Sequence, residues 1–142
     1  MINIFIDTSG SMSEMGKNTG AIYIVKSILD YCEDKRITVF LFKLDGSIVD
    51  DLLSLKFDEQ LQMINLEKRL NTILISDGFI ESEDIFFDIS FAIGIDCDET
   101  NLNKISKRVF EPENIMQALE YLLFKNNILE NAISNEDNED EW

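Results

Sequence analysis

The hydrophobic positions alternate between two patterns along the chain. Ile2-Asn3-Ile4-Phe5-Ile6 is a nearly continuous apolar run, as expected of a strand covered on both faces. It stops at the polar turn Asp7-Thr8-Ser9-Gly10-Ser11. From about Thr19 to Cys32 the spacing becomes helical: Ala21, Val25, Ile28 and Cys32 form one stripe, widened by Ile22 and Leu29. After the charged turn 33–36, the run from Ile37 to Leu44 predicts a second strand. Asp45-Gly46 is a tight-hairpin signal, and the segment from Ser47 to Leu53 reads as a third strand antiparallel to the second. Its Asp50 and Asp51 suit a sheet edge.

Residues 58–70 carry Leu61, Ile64 and Leu66 at helical spacing. Thr72 to Ser76 is again a buried-type strand, and it again ends in a polar turn, Asp77-Gly78. Ser90 to Ile95 predicts a fifth strand, while 85–87 show no decisive pattern. Asp98 or Thr100 would cap a short helix bearing Leu102 and Ile105. Arg108-Val109-Phe110 predicts a sixth strand. Pro112 stands at the entry to a last helix carrying Ile115, Leu119 and Leu122. Strands alternating with helices predict an α/β fold with a mostly parallel sheet, whose ligand crevice lies at the carboxyl ends of the strands. Two of those ends carry the turns at Asp7 and Asp77.

Composition narrows the chemistry. The 142 residues include no histidine, which removes Ser-His-Asp and Cys-His catalysis and His-ligated zinc. Lys and Arg number 12 against 28 Asp and Glu, a net charge of −16. Such a chain repels nucleic acid and anionic membrane surfaces. Cys32 and Cys97 are too few for a disulfide framework. No apolar stretch is long enough for secretion or membrane spanning, so a cytosolic protein is expected. Five of the six residues 136–141 are acidic; removing them leaves 23 acids against 12 bases, so the body is acidic too. A single domain over 1–130 with an acidic tail over 131–142 is the expected organisation.

The candidate chemistry lies in Asp7-Thr8-Ser9-Gly10-Ser11-Met12, of form D-x-S-x-S. A strand-to-helix turn gathers one carboxylate and two hydroxyls there, and Asp77 adds a second carboxylate from a parallel strand. Hard oxygen donors of this kind suit Mg²⁺, with Mn²⁺ also accommodated. Without Asp77, the same residues would make an ordinary polar turn capping backbone amides.

On Ile4 to Met12, Ile73 to Gly78, Phe91 to Asp96, Leu102 to Ser106 and Val109-Phe110, the chain resembles the von Willebrand factor A family. The resemblance implies a Rossmann-like, three-layer fold with a six-stranded sheet of order 3-2-1-4-5-6 and strand 3 antiparallel. It also implies a metal-ion-dependent adhesion site. Ser9 and Ser11 would bind Mg²⁺ through their hydroxyls, Asp7 and Asp77 directly or through water, and a protein partner's Asp or Glu carboxylate would complete the shell. The family's loop threonine between strands 3 and 4 has no counterpart here. Asp58 or Glu59, and secondly Ser54, are the candidate substitutes, since an extended 54–58 covers roughly 17 Å and a 12-residue helix about 18 Å, barely enough for one round trip.

Two other readings follow from the residues. One is a metal-independent scaffold of the same fold, acting through its acidic surface. The other is a metal-assisted hydrolase or phosphotransferase, for which Asp77 or Glu14 would have to act as base.

Overall fold

The computed structural model describes residues 1–57, 64, 69–80 and 86–125. Among these, five strands form one parallel sheet of order β2-β1-β3-β4-β5. The strands are β1 (Ile2–Ile6), β2 (Val39–Lys43), β3 (Thr72–Ser76), β4 (Phe87–Ala92) and β5 (Ser106–Phe110). The helices are α1 (Lys17–Asp34), α2 (Glu99–Ile105) and α3 (Ile115–Lys125).

β1 and β3 are buried at every position because both sheet faces are covered. Ile2, Ile4, Ile6, Ile73 and Ile75 pack with Ala21, Val25 and Ile28 of α1 and Leu119 and Leu122 of α3. On the other face, Phe5 and Leu74 pack with Leu102 and Ile105 of α2, joined by Ile64 and Ile80. Phe5 stacks on Phe42, with ring centroids 5.1 Å apart. The alternation of strand side chains assigns each residue to one core or the other, which makes this a helix–sheet–helix α/β fold of Rossmann-like type.

The expected third strand, antiparallel over Ser47 to Leu53, does not form, and the sheet has five strands among the described residues instead of six. The Asp45-Gly46 turn forms: Asp45 Oδ1 accepts from the Ser47 amide and hydroxyl, and Gly46 takes φ 90°. The returning chain makes one antiparallel bridge, Phe42 to Ile48, with Lys43 N–H on Ser47 O and Val49 N–H on Leu41 O. Asp51 then accepts from Leu53 N–H and starts a 3-10 turn, Leu52–Ser54. Capping by Asp51 takes the backbone out of extended geometry before a ladder can grow. The order of the remaining strands is the expected one.

Element ends shift by one to three residues. α1 begins at Lys17, not Thr19. β4 stops at Ala92 because Gly94, at φ 92°, turns the chain away. The cap of α2 is Asp98, whose side chain accepts from Asn101 N–H; Thr100 lies inside the helix. The helix expected over 58–70 and the tail over 131–142 fall largely or wholly outside the described residues.

Candidate functional site

Strand order reverses between β1 and β3: the chain leaves β1 toward β2 on one side, and β3 pairs on the other. Parallel sheets open their crevice at such a point, because the connections leave in opposite directions. Asp7 follows β1 and Asp77 follows β3, so the two sequence-predicted carboxylates flank the switch point, both fully buried.

Asp7 is held on both oxygens. Oδ1 accepts the Ser9 N–H at 3.0 Å, and Oδ2 accepts the Ser76 hydroxyl at 2.7 Å. Ser76 Oγ in turn accepts the Gly78 N–H at 2.9 Å, which links the two strand ends. Burial raises the Asp7 pKa, the hydrogen bonds from Ser76 and Ser9 oppose this, and the charge of Asp77 adds to the rise. Ser9 Oγ and Ser11 Oγ stand 3.3 Å apart at the start of the 3-10 turn Gly10–Ser13. Asp7, Ser9 and Ser11 thus form one connected group, as their spacing predicts.

Asp77 faces differently. Its Oδ1 accepts the Phe79 N–H at 3.2 Å, and its Oδ2 accepts from Lys17 Nζ at 3.1 Å. Lys17 is only 2% exposed, and its Nζ also lies 2.9 Å from Asp96 Oδ1, in the loop after β4. Burial presses the Lys17 pKa down, but hydrogen bonds and charges from Asp96 and Asp77 outweigh it and leave the pKa raised. Gly94 makes room for this side chain: a Cβ there would stand 2.7 Å from Lys17 Cε and 3.0 Å from Asp96 Oδ1. The Phe79 ring covers the ammonium, with its centroid 5.6 Å away. Gly78, at φ 85°, brings the loop against α2, where Asp77 O accepts the Asp98 N–H at 2.8 Å.

Of the substitute ligands, Ser54 does not join this group. Ser54 is exposed and donates its hydroxyl to Asp51, beyond the edge strand β2. Asp58 and Glu59 lie outside the described residues. Glu14 is exposed on the turn before α1.

Sequence reasoning missed Lys17, Asp96 and Ser76. Lys17 carried one signal: it opens α1, where the helix dipole disfavours a cation, and the first turn offers no acid to offset it. Asp96 and Ser76 carried none, because their roles depend on how β1, β3 and β4 lie side by side.

Among the described residues, no group of three or more His, Cys, Asp or Glu side chains is arranged to hold a metal ion. A hard cation here would rest on hydroxyls. Ligands at adjacent vertices of an octahedron with bonds of about 2.1 Å stand about 3 Å apart, close to the Ser9–Ser11 separation. Each Asp7 oxygen retains acceptor capacity beyond its one hydrogen bond. The hydroxyl pair and Asp7 are thus the oxygens left open at this rim, while Asp77 Oδ2 already accepts from an ammonium.

Comparison with known proteins identifies no relative: no family model matches the chain, and neither does any curated protein or solved structure. The fold and this crevice define the class: an α/β protein with a buried, charge-rich site at the switch point of a parallel sheet.

Proposed function

We propose that this chain is a shortened von Willebrand factor A-type binding module. In this reading Ser9 and Ser11 hold Mg²⁺, or Mn²⁺, through their hydroxyls. Asp7 and Asp77 neutralise the ion at closer or longer range, and a carboxylate from a protein partner fills an open position. The cytosol is the setting.

The observation that carries the proposal is the Ser9–Ser11 hydroxyl pair, 3.3 Å apart and backed by buried Asp7 at the switch point. Two further features support it. Met15, Phe79 and Ile95 are exposed on the loops leaving β1, β3 and β4, which gives the crevice an apolar surround suited to a protein surface. The acidic chain would repel an acidic partner, and a dication between carboxylates supplies the local attraction.

The test is thermal melting across a Mg²⁺ and Mn²⁺ titration. The intact protein should gain about 1–3 kcal/mol at saturating metal. Ser9→Ala combined with Ser11→Ala should abolish the gain and leave the metal-free melt nearly unchanged. A melt indifferent to millimolar metal would refute the proposal. It would favour the metal-independent scaffold, to which the Lys17–Asp77 pair lends specific support because it already supplies a cation to the cluster.

A further inference from the structure

Lys17 sits where a binding site would be expected to hold a foreign cation. Two carboxylates, Asp77 and Asp96, leave the ends of β3 and β4 and face one ammonium, and the charge of Asp77 is also felt by buried Asp7 after β1. Asp77 has no exposed side-chain surface and Lys17 has 1%, whereas Asp96 retains 41%. The lysine comes from the first residue of α1, the positive end of that helix, where a cation is stable only if anions are brought to it from elsewhere. Both anions come from loops shaped to reach it, and Gly94 is free of the Cβ that would collide with the lysine stem.

Removing one partner of a buried ion pair is strongly destabilising, because the other charge is left without compensation. The fold therefore depends on some cation at this point, and the chain provides one. We propose that Lys17 is the resident counter-ion of the site. It lets the loops after β3 and β4 close on α1 without any metal. By occupying Asp77 it also confines an incoming dication to the hydroxyl and Asp7 side, which keeps metal affinity low. Affinity for hard cations rises with the number of charged ligands, so taking away the ammonium would hand Asp77 to the metal. Lys17 is thus a positioning residue that acts through Asp77 and Asp96. The inference rests on the carboxylate cluster and does not require a protein partner.

The experiment compares the intact protein with Lys17→Met, which keeps the apolar stem and deletes the charge. Thermal melts are recorded in EDTA and in millimolar Mg²⁺ or Mn²⁺, with KCl at matched ionic strength as the control, and Mn²⁺ binding is titrated on both proteins. In EDTA the variant should melt lower, by on the order of 10 °C. Divalent metal should restore much of the loss while KCl does not, and Mn²⁺ should bind about tenfold tighter or better than to the intact protein. Loss in EDTA with no recovery in metal beyond the KCl control would overturn the inference. Unchanged or weaker Mn²⁺ binding would also overturn it.

A charge-matched variant, Lys17→Met with Asp77→Asn, keeps the test decisive if the single variant fails to fold in EDTA. It should fold there and show little metal rescue; persistent unfolding would mean the lysine serves by packing alone, against the inference. Should the intact protein take up no metal, the proposed function falls. Metal rescue of Lys17→Met would still uphold this inference, so the two failures are distinguishable.

Discussion

Ser76 donates its hydroxyl to Asp7 across 2.7 Å, joining the carboxyl ends of β1 and β3 by a bond between two fully buried side chains. The bond spans 69 residues of sequence, and the same Ser76 oxygen accepts the Gly78 amide. One serine therefore orients the carboxylate behind Ser9 and the loop that carries Asp77. Replacing it with alanine strands Asp7 Oδ2 and the Gly78 N–H in a dry environment. Ser76→Ala should cost about 2–3 kcal/mol in urea denaturation, more than the single hydroxyl bond alone is worth.

Asp7 makes stability depend on pH with a definite sign. Its folded-state pKa is raised above 3.8, with burial the leading cause. Between the unfolded and folded values the native state binds more protons than the unfolded state. Stability from this group is therefore highest at low pH and falls as pH rises through the folded value. Urea melts in EDTA from pH 4 to 8 on the intact protein and Asp7→Asn isolate the effect. The stability of the intact protein relative to the variant should decline with rising pH and then level off. A difference that rises with pH would contradict the burial argument.

Gly78 is a stringent position for a methyl group. Its φ is 85°, and an added Cβ would stand 2.4 Å from the carbonyl oxygen of Asp98, a residue whose backbone N–H donates to Asp77 O. Strain and collision act together, and neither can relax without breaking the contact between the Asp77 loop and α2. Gly78→Ala should lose about 2–4 kcal/mol of stability by chemical denaturation. It should also weaken any metal-induced rise in melting temperature, because the Asp77 loop moves with it.

Both cysteines are free thiols whose pKa is pushed up to about 11, in each case chiefly by burial. Around Cys97, the charges of Glu99, Asp77, Asp98 and Asp96 add to the rise. The thiolate is the reactive form. Alkylation of the native protein by iodoacetamide at pH 8 should therefore be slow at both positions compared with an unperturbed thiol of pKa about 8.5, and unfolding in urea should release both. Mass spectrometry over a time course measures this directly. Fast native labelling at Cys97 would show that its acidic surroundings do not suppress the thiolate.

The strands and helices were largely legible from the chain because their signal is local. Four apolar runs and the short Arg108-Val109-Phe110 matched the parallel strands, and apolar spacing marked α1 and α3. The hairpin after β2 was legible as a turn but not as a strand. Asp45-Gly46 speaks only for the reversal, whereas extension of the ladder was decided by Asp51 capping the next turn.

The half of the site contained in one turn, Asp7 with Ser9 and Ser11, was readable from residues alone. Neighbouring side chains in a tight turn must meet, whatever the rest of the chain does. The other half depended on tertiary structure. Asp77 was named from the chain, but Lys17, Ser76 and Asp96 come from the ends of separate elements, and no periodicity records which ends will be neighbours. Parallel pairing of β1, β3 and β4 brings those ends to one rim, and close packing around Gly94 leaves a space that a lysine stem can enter. Composition alone could announce an acidic protein. Folding chose the ammonium that offsets part of that acidity where burial makes it most costly.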